Sequence, residues 1–189
     1  MNHAPDAALL GHRYFFALKP DAETARRTAV FAGTELGAQG LLAPDRLHVT
    51  LALTADRTME EAGLVDALRR AGDAVRAAPF DLLLDRLSIG SRTATLRPAG
   101  KVPPLQSLQA AIAQAMRQEG IAMRPDWRFS PHQTLRYRKS ATTGTRAITG
   151  FRWHVTDFVL VHSLIGLTRH ETIGRWPLHA EPDPQGQLL

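Results

Sequence analysis

His48-Val49-Thr50-Leu51 and His132-Gln133-Thr134-Leu135 are one pattern written twice, 84 residues apart. The first copy sits in Leu47-His48-Val49-Thr50-Leu51-Ala52-Leu53, where apolar residues alternate at the period of a β-strand and leave His and Thr on the other face. The second sits in Arg128-Phe129-Ser130-Pro131-His132-Gln133-Thr134-Leu135-Arg136-Tyr137, which reads as extended, with Pro131 suited to a strand end. Working outward, Pro20 precedes His48 by 28 residues and Pro104 precedes His132 by 28. Both halves therefore run strand, Pro, helix, Gly, loop and His-x-Thr-Leu strand, which predicts two similar lobes.

The remaining elements follow from periodicity and punctuation. Residues 13–18 form an aromatic-rich strand, and a helix over 21–36 has Asp21 as its cap and Gly37 and Gly40 as its stop. Thr58-Met59-Glu60-Glu61 has the form of a capping box ahead of the stripe Leu64, Val65, Leu68 and Val75. Residues 80–87 and 92–96 read as a hairpin, and Leu105, Leu108, Ile112 and Met116 mark one side of a helix over 105–118. Residues 139–150 read as a polar loop, 158–165 as a buried strand and 176–178 as a short last strand.

Composition narrows the function classes. The chain has 189 residues, 44% hydrophobic and 22% charged, as expected of a globular chain of one domain or two small lobes. No Cys is present, which excludes disulfide scaffolds, thiolate nucleophiles and Cys-ligated metals and is compatible with a reducing cytoplasm, the expected location. No run approaches the roughly 20 apolar residues of a membrane span, so no membrane partner is expected. Residues 1–12 read as a flexible leader, 13–180 as a single bilobal domain and 181–189 as a frayed tail. Of the formal net charge of +5, residues 117–152 supply a surplus, with eight Arg and Lys against Glu119 and Asp126. Such a field suits a phosphorylated partner, and equally describes a solvated Arg-rich surface.

The paired motifs carry the chemistry. One copy alone reads as an ordinary β segment, since Thr favours strands. Two copies in matched positions arise by chance on the order of one time in a few hundred. Each strand delivers an imidazole and a hydroxyl side by side, so His48, Thr50, His132 and Thr134 are the candidate catalytic set. Phosphodiester cleavage needs one neutral imidazole to take a proton and one protonated imidazole to give one, and the Thr hydroxyls would donate to non-bridging phosphate oxygens. Arg136 and Arg138 share the His132 face by alternation and are candidate phosphate binders. Phe15 and Phe16 are candidates for base stacking, although alternation sends at least one to the core. His162 reads as a packed, hydrogen-bonded histidine within a strand. Neither His-Glu-x-x-His nor an Asp/Glu cluster adjoins the motifs, so neither metal nor other cofactor is expected.

The two His-x-Thr motifs, the first strand Arg13-Tyr14-Phe15-Phe16-Ala17-Leu18, and the closing Phe158-Val159-Leu160-Val161-His162-Ser163 and Arg175-Trp176-Pro177-Leu178 resemble the LigT-like 2H phosphoesterases, the 2'-5' RNA ligase family. The resemblance spans residues 13–178. It implies an α+β, bilobal fold in which two pseudo-twofold-related antiparallel sheets, flanked by helices, face a central groove holding both motifs. It implies metal-independent hydrolysis of RNA 2',3'-cyclic phosphate ends to 2'-phosphates, reversible as 2'-5' ligation, in a monomer. His48 would then be the proton donor and His132 the acceptor, an assignment that the residues themselves leave open to reversal. The chain departs from the family at Tyr137, five residues after His132, where members commonly carry Arg, and at Leu53-Thr54-Ala55 and His170-Glu171. A small cyclic nucleotide or ADP-ribose cyclic phosphate is the alternative substrate. A noncatalytic RNA-binding module is the alternative class, which would have no need of paired proton donor and acceptor.

Overall fold

Alternation along the two motif strands sets the centre of the molecule. In the computed structural model, which describes residues 11–139, 142–167 and 169–179, these are β2 (Val49–Leu53) and β5 (Gln133–Tyr137), again 84 residues apart. They lie side by side and antiparallel, in register at Val49 and Gln133, the residue that follows the histidine in each motif. The other strands are β1 (Gly11–Leu18), β3 (Phe80–Ile89), β4 (Thr93–Arg97), β6 (Gly144–Val155), β7 (Asp157–Ile165) and β8 (Arg169–Pro177). Together they form one eight-stranded antiparallel sheet in the order β6-β3-β4-β5-β2-β1-β7-β8. The two expected sheets are the halves of this sheet, β6-β3-β4-β5 and β2-β1-β7-β8, joined at the Val49–Gln133 pair.

Asp21 accepts from the Thr24 amide at 2.8 Å and starts α1 (Ala22–Leu36). Two further helices, α2 (Ala62–Ala74) and α3 (Pro103–Gln118), lie side by side, α3 against β2 and α2 against β7 and β8, while α1 lies against β6. Tyr14, Phe16 and Leu18 of β1, Leu51 of β2 and Leu82 and Leu84 of β3 pack with Leu68, Leu105, Leu108 and Ile112 of the helices in the main core. The alternate residues Phe15, Ala17, Val159 and Val161, with Leu53, make a second, smaller apolar cluster. No helix among the described residues is long and apolar enough to cross a membrane.

Three expectations change. The Thr58–Glu61 capping box does not form: Glu61 is the N-cap of α2 and makes no side-chain cap bond. Residues 139–150 are not all loop, because Gly144 onward belongs to β6, which pairs with β3 through Val155. Its first residues are exposed on both faces, so they carry no alternation, and pairing with β3 makes them a strand. Gly150 bends it at the β3 register shift with φ +84, where a Cβ would stand 2.9 Å from the Leu84 carbonyl oxygen. The last strand spans nine residues instead of three, as the polar outer edge of the sheet. Most of the expected leader and the whole expected tail lie outside the described residues, while Gly11 and His12 already belong to β1.

Gly72 on α2 lies against the Trp176 ring of β8, where a Cβ would meet ring carbons at 2.4 Å. Trp176 donates to Asp73 at 2.6 Å and stacks on Phe158, so its ring is held. Alanine is the better helix former by about 1 kcal/mol, yet overpacking costs about 1–3 kcal/mol. Gly72→Ala is therefore expected to lower the urea midpoint, and an unchanged or higher midpoint would show that the ring yields.

Candidate active site

Two imidazoles are oriented by the same device in the two halves. His48 Nδ1 lies 2.7 Å from the Arg46 carbonyl oxygen, and His132 Nδ1 lies 2.7 Å from the Ser130 carbonyl oxygen. A carbonyl only accepts, so each Nδ1 carries the proton and donates it. Each Nε2 is thereby left as the working nitrogen, a base when bare and an acid when protonated. Antiparallel register about Val49–Gln133 sets His48 beside Thr134 and Thr50 beside His132 across the strand pair.

His48, Thr50 and His132 line one cleft of about 390 Å³, the size of a small-ligand site. Phe15 and Leu53 bring the second apolar cluster to its wall, and Trp127 and Tyr137 add rings, Tyr137 being 62% exposed. Phe15 stacks on the His48 ring at 4.9 Å, and His170 meets His48 edge-on at 5.5 Å. Arg13 and Arg46 are the cations of the lining.

Burial pushes the His48 imidazole down to about 4, against the pull of the Arg46 carbonyl, with His170, Lys19 and His132 adding positive charge. Burial also lowers His132, helped by Arg97 and opposed by the Ser130 carbonyl. His170 falls to about 4 through burial and then the charge of Arg46. At neutral pH the free cleft therefore holds neutral rings surrounded by cations, an environment that an anion would relieve. Among the described residues no three His, Asp or Glu side chains come together as metal ligands.

The remaining candidates from the sequence are distributed unequally. Thr134 is buried on β5 and is not part of the cleft lining. Phe16 is fully buried on the opposite face, against Phe158 and Trp176, so alternation removes it from any stacking role in the cleft. Arg136 is buried and donates to the Leu36 carbonyl at the end of α1, and Arg138 is exposed beyond β5; neither lines the cleft. The expectation that both face the phosphate fails in placement because their segment runs along residues 40–42, with Arg136 bridged to Leu41. His162 is packed as expected, 2.9 Å from His12 and stacked on Tyr14. Sequence reading missed Arg46 and His170. Arg46 stands two residues before His48, a spacing that would share its face, but it lies in a 3-10 turn where alternation does not apply. His170 reaches the cleft through its β8 pairing with Ser163, which no local pattern announces.

A model of the 2'-5' RNA ligase superfamily matches residues 18–165. The chain is similar to Escherichia coli LigT, solved with 3'-AMP, at 27% identity and TM-score 0.76, covering 90% of this chain and 99% of that one. A structure described as a phosphoesterase is 26% identical with TM-score 0.75, covering 89% and 99%. TT0787 of Thermus thermophilus is 25% identical with TM-score 0.68, covering 90% and 100%. No curated protein matches the chain. With the family model spanning most of the sequence, and the fold shared over nearly the full length of these structures, the chain belongs to the 2'-5' RNA ligase superfamily of 2H phosphoesterases.

Proposed function

We propose that the protein hydrolyses RNA 2',3'-cyclic phosphate ends to 2'-phosphates, with His48 and His132 as general acid and base. The observation that carries this reading is the twofold repetition of one device: each Nδ1–H donates to the carbonyl two residues earlier, leaving both Nε2 atoms to act in one cleft. One Nε2 takes a proton from water as its oxygen attacks phosphorus, the bond from phosphorus to O3' breaks, and the other Nε2 gives its proton to O3'. By family likeness His48 is the donor and His132 the acceptor. Thr50, beside His132 in the cleft lining, donates to a non-bridging oxygen as charge builds on it, and the buried Thr134 stands beside His48. Phe15 is buried in the cleft wall and stacked on His48, so the exposed Tyr137 ring is the one that meets the terminal base. A 5'-hydroxyl in place of water as the nucleophile, attacking the cyclic phosphate with the same proton transfers and the same release of O3', makes a 2'-5' linkage. A 3'-AMP complex of E. coli LigT supports a nucleotide phosphate as the ligand class.

The test is incubation with oligonucleotides ending in 2',3'-cyclic phosphate and with cyclic mononucleotides, followed by identification of the phosphate isomer. A 2'-phosphate is expected. A 3'-phosphate would reverse the bond that is broken, turnover of cyclic mononucleotides alone would move the substrate to the small-molecule class, and binding without turnover would leave an RNA-binding module.

A further inference from the structure

We propose that Arg46 is a phosphate-holding residue of the cleft, its guanidinium taking substrate phosphate oxygens beside His48; the identity of that substrate rests on the proposed function, the anion site does not. Arg13 and Arg46 are the two cations of the lining, and they are not equivalent. Arg13 is spent on Asp56, with Nε at 2.6 Å and Nη2 at 2.7 Å from its two oxygens, and Asp56 also takes Arg124 at 3.2 Å. Arg46 has no carboxylate within ion-pair distance among the described residues, and its neighbour Asp45 is exposed without pairing to it. Its Nε is buried and has no hydrogen-bond partner. A buried charged donor left unsatisfied is costly, and an incoming acceptor removes that cost.

The pseudo-twofold sharpens the case. Ser130 occupies the place of Arg46 in the other half, 84 residues later, and there the nearby cation Arg97 donates to the Ser130 hydroxyl at 2.8 Å. On the His48 side of the cleft, by contrast, the Arg46 Nε is left without a partner. Arg46 also sets the imidazole through its own carbonyl, so one residue places the ring and the charge together. The planar fork of a guanidinium matches two phosphate oxygens, whereas an ammonium offers a point charge.

Calorimetric titration with inorganic phosphate tests the site without reference to turnover. Arg46→Ala and Arg46→Gln are expected to weaken phosphate binding at least about tenfold, and Arg46→Lys less. Arg152→Ala, on the edge strand β6 and paired with Asp81, removes the same charge away from the cleft and is expected to bind as wild type. Gln retains the stem of the side chain, so it carries the test if Ala fails to fold. Wild-type affinity in folded Arg46→Gln, or no phosphate binding by the wild type, overturns the proposal. Wild type that binds phosphate through Arg46 yet hydrolyses no cyclic end leaves the site standing and removes the functional reading. Hydrolysis by wild type, with phosphate affinity and KM unchanged in Arg46→Gln, overturns the site alone.

Discussion

His48→Ala and His132→Ala each lower turnover of a 2',3'-cyclic-ended oligonucleotide at least about a hundredfold, the scale of one lost acid or base. The chain still folds, because both rings lie on the cleft face of the sheet and outside the main core. What each variant gives up structurally is one bond to a carbonyl, about 1 kcal/mol, and for His48 its stack on Phe15. Far-UV circular dichroism and the urea midpoint check the fold, and single-turnover kinetics at saturating substrate isolate the chemical step. Acid and base act in one concerted transfer, so the double variant loses far less than the product of the single losses. Either single variant turning over at the wild-type rate would remove its ring from the reaction and end the two-histidine mechanism.

The parts of this site that were legible in the sequence are those written in period 2. His48 and Thr50 had to share a face because Val49 and Leu51 share the other, and the 84-residue repeat predicted a matching pair at His132 and Thr134, which β2 and β5 reproduce with the same offset. α1 was legible for a different reason: Asp21 is a side-chain cap whose acceptor does reach the Thr24 amide. Where backbone pairing or tertiary approach decides, the sequence is silent. The first residues of β6 are exposed and show no alternation but are paired with β3, and His170 enters the cleft only because β8 pairs with β7. Arg136 shows the limit of alternation itself. It lies on the predicted strand, yet its long side chain ends at the Leu36 carbonyl, so strand register places a Cβ and not a guanidinium.

The pH dependence separates this mechanism from metal-assisted hydrolysis. Burial holds His48 down at about 4 and lowers His132 in the free protein. The kcat/KM profile reports the free protein, and it needs one imidazole protonated and one bare. It is therefore expected to be a bell whose limbs both lie below the ordinary histidine value of about 6.5, with the two apparent values belonging to the pair. On the alkaline side the acid is lost, and kcat/KM falls about tenfold per pH unit. A bound phosphate anion favours the protonated rings, so the kcat profile should lie at higher pH than the kcat/KM profile. Exhaustive chelation should leave both unchanged. A metal-bound hydroxide would give the opposite result, activity lost to chelator and restored by added ion, because the ion lowers the pKa of its water. Measuring both profiles before and after prolonged EDTA treatment decides the matter: chelator loss that metal reverses sinks the two-histidine proposal. A kcat/KM that rises to a plateau above neutrality sinks it too, since no protonated imidazole would remain there to release O3'.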